Sequence, residues 1–174
     1  IDQNSFVIFP GSSACFRSWP IEDFAKVAVR IIEKYHWKPV ILGGFNEISL
    51  GYQLEKRLIE YSPINLVNKT TLTELVEIIR LTRILISNET SAIHIAAAVD
   101  TQSVCILGGG HYGRFLPYPD SSEGTKPAIV INKMSCFGCN WHCKFSNDTS
   151  LPYPCISGIE VDSVFETIEN IIED

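Results

Sequence analysis

The stretch Ser87-Asn88-Glu89-Thr90-Ser91-Ala92-Ile93-His94-Ile95-Ala96-Ala97-Ala98 follows an apolar run, Ile84-Leu85-Ile86, and breaks it abruptly at four polar residues before a small-residue helix at Ala92 to Val99. A strand that feeds a helix so directly leaves the first helical N–H groups without intrahelical partners. Those donors, with the positive end of the helix dipole, favour an anion. Two readings follow from the pattern alone: a phosphate site, or Thr90 or Ser91 acting only as the cap of a core helix.

Working outward, the same strand-then-helix alternation recurs. Phe6 to Phe9 is a β-rich apolar run stopped by Pro10-Gly11, with a polar loop from Ser12 to Arg17. Pro20 opens a helix whose inward face is Phe24, Val27, Ala28, Ile31, Ile32 and Tyr35. The spacing predicts a strand at Pro39 to Leu42, a helix at Ser49 to Tyr61 with Leu50, Leu54, Leu58 and Ile59 on one face, and a brief strand at Asn65 to Val67. Thr71 with Glu74 forms a capping box for a helix with the stripe Leu72, Leu75, Val76 and Ile79. Beyond the central stretch come a strand at Ser103 to Leu107, the triplet Gly108-Gly109-Gly110, and a strand at Ala128 to Ile131. A cysteine-rich segment then leads to a final helix with Val161, Val164, Phe165, Ile168, Ile171 and Ile172 inward. Strands that are continuous apolar runs imply an α/β protein with a Rossmann-like parallel sheet and helices on both faces. Right-handed crossovers then gather four loops at one sheet edge: Gly11 to Arg17, Gly43 to Glu47, Asn88 to Ser91, and Gly108 to Arg114.

A chain of 174 residues, 45% hydrophobic and 20% charged, is one domain with one buried core spanning residues 1–174. A net charge of -6 argues against a non-specific nucleic-acid binder, which needs clustered Lys and Arg. No apolar run approaches the roughly 20 residues of a membrane span, and no signal peptide is legible. The chain opens on Ile1 and enters a strand almost at once, which suggests a piece of a longer polypeptide. Six cysteines and three N-x-S/T sequons, at Asn68, Asn88 and Asn147, would suit a secreted, disulfide-bonded domain. Asn88, however, lies in the strand-to-helix corner where a glycan would obstruct packing, and an α/β core of this size needs no staples, so a cytoplasmic location is expected.

The first loop, PGSSACFRSWP, lacks the G-x-G-x-x-G of a nicotinamide-binding unit. The four loops offer instead the hydroxyls Ser12, Ser13, Thr90 and Ser91, the cation Arg17, the carboxylate Glu47 and helix-end amides. Such a set fits a nucleoside diphosphate, with amides and guanidinium on the phosphates and the carboxylate on ribose hydroxyls. Cys136, Cys139, Cys143 and Cys155, spaced C-x2-C-x3-C-x11-C, leave three states open: a structural zinc or iron–sulfur site, disulfides, or reduced thiols. Trp19, beside Pro20 and an apolar stripe, is expected to clamp the first loop to the first helix.

The motifs P-G-S-S-x-x-x-R-x-W-P (Pro10–Pro20), G-G-x-x-E (Gly43–Glu47), N-K-T-T-L (Asn68–Leu72) and N-E-T-S-A-I-H-I-A-A-A (Asn88–Ala98) together resemble the C-terminal half of the ADP-heptose:lipopolysaccharide heptosyltransferases. Those are GT-B glycosyltransferases with two Rossmann-like domains facing across a cleft. The resemblance implies a donor-binding domain: Ser12, Ser13, Arg17, Thr90 and Ser91 on the phosphates, Glu47 on the ribose, Thr70 near the base, and Glu89 and His94 near the sugar. Arg114, which follows the Gly triplet at a strand end, leaves two readings from position alone: a contact to the sugar or the opposite domain, or an ordinary polar loop residue. Arg17 stands where the family usually has Lys, and Glu89-Thr90-Ser91 where it usually has Asp-Ser/Thr-Gly. The resemblance further implies an inverting transfer from a nucleotide sugar such as ADP-heptose to a lipid-linked saccharide, with no catalytic cofactor or metal. The general base and the acceptor site would lie in an N-terminal domain outside this chain, at the inner face of the inner membrane. A freestanding nucleotide-binding module without transferase activity is the alternative.

Overall fold

In the computed structural model, which describes residues 1–173, six strands form one all-parallel sheet. The strands are β1 (Ser5–Phe9), β2 (Lys38–Ile41), β3 (Ile64–Asn65), β4 (Ile84–Asn88), β5 (Gln102–Ile106) and β6 (Ala128–Val130), in the spatial order β3-β2-β1-β4-β5-β6. The helices are α1 (Ile21–Tyr35), α2 (Ile48–Arg57), α3 (Leu72–Leu81), α4 (Ser91–Ala98), the short α5 (Pro154–Ser157) and α6 (Val161–Glu173). The strand order reverses between β1 and β4, and in such sheets the crevice at the carboxyl ends of the two reversing strands is where ligands settle.

Successive strand residues alternate between two cores, as the pleat requires. Phe6, Ile8, Ile41, Ile84, Ile86, Val104 and Ile106 face one side with α1, α2 and α6; Val7, Val40, Leu42, Leu85, Cys105 and Leu107 face the other with α3 and α4. Both faces are covered, which explains why the strands read as unbroken apolar runs. Helix α1 buries Phe24, Val27, Ala28 and Ile31, each large side chain contributing roughly 1.5–3 kcal/mol. The predicted capping box is present: Thr71 Oγ1 accepts from the Glu74 N–H and Glu74 Oε2 from the Thr71 N–H.

Three details depart from the sequence reading. Leu72, expected on the inward stripe of α3, is exposed because it sits in the first turn, before the helix reaches the sheet. Ile59 is exposed because α2 ends at Arg57 and a 3-10 turn over Ile59–Tyr61 breaks the helical face. In α6 only Val164 and Ile168 are fully buried, with the other four apolar residues packed at the margin. No helix among the described residues is long and apolar enough to cross a membrane.

Candidate functional site

The loops after β1, β2 and β4 converge on a cleft of about 640 Å3 lined by Ser12, Ser13, Arg17, Glu47, Glu89, Thr90 and Ser91 among others. A larger open groove, about 950 Å3, runs between α1 and residues 157–162 and receives none of these loop ends.

The corner that starts α4 is built by Thr90. Its Oγ1 accepts from the Ala92 N–H and its carbonyl from the Ile93 N–H, so the capping reading holds for its side chain. Among the described residues the Thr90 and Ser91 amides have no protein acceptor, and both residues border the cleft. The cap and the anion site therefore coexist, one using the hydroxyl and the other the backbone.

Asn88, fully buried, ties this corner to the first loop. Its amide donates to the carbonyls of Pro10 and Gly11, at 2.8 and 3.1 Å, and its Oδ1 accepts from the Trp19 N–H at 2.9 Å. A glycan cannot be attached to so enclosed a side chain, as the sequon argument anticipated. Trp19 is also buried, donates its indole N–H to Ile159 O, and meets Phe24 edge-on, the clamp expected of it.

Within the first loop, Ser12 Oγ is occupied by Ala14 O at 2.6 Å and Ser18 Oγ at 2.7 Å, so it shapes the turn. Ser13 Oγ accepts from Arg17 Nη1 at 2.9 Å. Arg17 Nη2 lies 3.4 Å from Glu89 Oε2, and the guanidinium sits 4.9 Å from the Trp141 ring centre. Burial pushes the Glu89 carboxyl up; Arg17, His111 and His94 pull it back without cancelling that effect. Its other oxygen, Oε1, is buried with no hydrogen-bond partner.

Glu47 closes the far side. Its Oε2 accepts from the Gly44 N–H at 2.7 Å, and its side chain lies across the backbone of Gly11 and Gly43. A Cβ at Gly11 would stand 2.2 Å from Glu47 Cγ, so a side chain there would displace the Glu47 carboxylate from its place across the loop.

Three predicted residues do not line this cleft. Thr70 lines a separate groove beside α3 with Leu66, Glu74 and Ile78. His94 is half-buried with Nδ1 2.6 Å from Tyr118 Oη. Arg114 is exposed and lies over the Phe115 ring. The Gly108 to Arg114 loop, expected at the cleft, instead receives the cysteine-rich segment. Trp141 lies against Gly108 and Gly110, Phe137 lies against Gly109, and Tyr153 stacks on Phe16 of the first loop. Sequence reasoning missed Trp141 and Asn88; the Gly triplet, which leaves room for flat rings, was the only trace of the former.

The six cysteines are unbonded. Burial pushes the Cys155 thiol up, and Cys136, Cys139 and Cys143 are near enough to add to it. Among the described residues no three His, Cys, Asp or Glu are grouped as metal ligands in this arrangement. Aromatic packing and backbone bonds such as Gly138 N–H to Gly109 O, 2.7 Å, hold the segment against the Gly triplet.

Fold and cleft together define a Rossmann-like α/β unit whose crevice presents amides, a guanidinium and two carboxylates. The family model for glycosyltransferase family 9 (heptosyltransferase) matches residues 1–139, and the chain belongs to that family. No curated protein matches it significantly. Among solved structures, the Escherichia coli ADP-heptose lipopolysaccharide heptosyltransferase II superposes with a TM-score of 0.76 at 18% identity over 98% of this chain and 47% of that one. A glycosyltransferase family 9 protein from Veillonella parvula gives 0.74 at 20% identity over 98% and 46%. TibC of enterotoxigenic Escherichia coli, described as a dodecameric iron-containing heptosyltransferase in complex with ADP-D-beta-D-heptose, gives 0.69 at 18% over 99% and 46%. At these identities the likeness shows the fold, and this chain spans just under half the length of each.

Proposed function

We propose that this chain is the donor-binding domain of an inverting glycosyltransferase that takes its sugar from ADP-heptose or a close analogue. The observation that carries the reading is the convergence, in one cleft, of the Arg17 guanidinium, the unpartnered amides at the start of α4 and the Glu47 carboxylate. The diphosphate lies across Ser13, Arg17 and the Thr90–Ser91 amides, and Glu47 accepts from the ribose hydroxyls through the oxygen not held by Gly44. Glu89, at the floor, lies beyond the phosphates on the sugar side.

In such a transfer the sugar–phosphate bond breaks as an acceptor hydroxyl attacks, and the leaving diphosphate gains negative charge. Amide donors and the α4 dipole, fixed in place beforehand, and the Arg17 guanidinium recruited to the phosphates stabilise that charge more than the bound donor. The acceptor, a lipid-linked saccharide, and the base that deprotonates it belong to a further domain facing this cleft, at the cytoplasmic surface of the membrane. On this reading the 174-residue chain binds nucleotide and does not turn over alone.

Calorimetric titration with ADP, UDP, GDP and CDP tests the proposal. ADP is expected to bind most tightly. Arg17→Ala should weaken it about tenfold or more, the cost of a charge-assisted contact, and Glu47→Ala should weaken it by a comparable factor. Absence of binding by all four nucleotides, or variants indistinguishable from the parent, would overturn it.

A further inference from the structure

Three buried polar atoms beside the cleft lack partners, and they belong to side chains in one contiguous group: Glu89 Oε1, His111 Nδ1 and Trp141 Nε1. The Glu89 side chain is 7% exposed and lines the cleft floor. The His111 ring stands 5.6 Å from that of Trp141 at 72°, and Arg17 spans the gap, 3.4 Å from Glu89 Oε2 and 4.9 Å above the indole. Buried polar groups are ordinarily satisfied, so three orphans in one group of neighbouring side chains call for an explanation.

Their chemistry is specific. His111 Nε2 lies 3.2 Å from Asn140 Oδ1, which only accepts, so the Nε2–H donates and Nδ1 presents a lone pair. Glu89 Oε1 is an acceptor and the Trp141 indole a donor. Two acceptors and one donor match neither a phosphate, which brings acceptors alone, nor an apolar group. They match hydroxyls, which donate and accept together. The indole is held there at a conformational cost, since Asn140 and Trp141 are consecutive non-glycine residues in the left-handed region, with φ of 49° and 65°.

Resting on the donor-binding reading above, we propose that Glu89, His111 and Trp141 form the hydroxyl-binding floor for the donor sugar, covered here by the Arg17 guanidinium. The diphosphate draws Arg17 away from Glu89 and the indole, and the same movement opens the three atoms to the sugar. Phosphate binding and sugar recognition are thus coupled through one side chain. A ligand that lacks the diphosphate would leave the floor closed.

The test is the ratio of the dissociation constants of ADP and ADP-heptose, read by calorimetry for the parent, Trp141→Phe, His111→Phe and Glu89→Gln. Trp141→Phe keeps an aromatic ring beneath Arg17 and removes the N–H together with the indole's second ring. The ratio should shift against ADP-heptose by about fivefold in Trp141→Phe and His111→Phe, and by about tenfold in Glu89→Gln, where a charged acceptor becomes neutral. The ratio is taken within each folded variant, so a general loss of stability or of phosphate affinity cancels. Ratios equal to the parent's in all three variants would overturn the proposal while leaving nucleotide binding intact. A parent that binds neither ligand would overturn the donor-binding reading and this proposal with it.

Discussion

Glu89 meets Arg17 at 3.4 Å, yet burial still holds its carboxyl above the ordinary carboxylate range. The folded chain therefore binds that proton more readily than the unfolded chain does. The corresponding stability is whole below the ordinary carboxylate value and is lost as pH rises through the raised one. Glu89→Gln should abolish this decline, leaving the protein more stable than the parent at pH 7.5, by about 2–4 °C in melting temperature, and no more stable at pH 4. Melts recorded between pH 4 and pH 8 check it, and a variant less stable than the parent at pH 7.5 would refute it. Sequence alone flagged Glu89 by its departure from the family's Asp. Its burial and its orphan oxygen are set by the fold, whose Arg17 meets it from 72 positions earlier in the chain.

At the scale of elements, the cysteine-rich segment behaves as a strap fastened across the end of β5. A Cβ at Gly110 would lie 2.2 Å from Trp141 Cδ2 and one at Gly109 would lie 2.4 Å from Phe137 Cδ2. Gly110→Ala should therefore displace the indole, costing about 1–3 kcal/mol in urea unfolding and changing the tryptophan fluorescence. An unchanged emission spectrum would show that the strap does not rest on this residue. Five of the six helices were legible from a 3.6-residue stripe, the Thr71–Glu74 box or a small-residue run after a strand; the short α5 carries no such signal. The strap was not, since aromatic packing on glycine has no period, and its cysteine spacing left a metal site, disulfides and reduced thiols all open.

For the whole molecule, the two halves of the sheet are joined at the site by Asn88, whose three hydrogen bonds bind the end of β4 to the loop after β1. Asn88→Ala leaves two carbonyls and an N–H unpaired in the interior, and should cost about 3 kcal/mol of stability and open the cleft between the loops. Chemical denaturation measures the first and ADP affinity the second; a loss below about 1 kcal/mol would show that water replaces the side chain there. The sequence by itself determined the layered α/β architecture, the capped helices and the loop ends that face one edge, because apolar periodicity and turn chemistry are local and each segment declares its own. Only the tertiary structure decided which loops share the cleft, that Thr70 and Arg114 stand outside it, that the Ser12 hydroxyl is taken up by Ala14 and Ser18, and that Trp141 lies under Arg17. Those outcomes depend on contacts between segments distant in the chain, where the energy lies in packing and paired charges that no single stretch can encode.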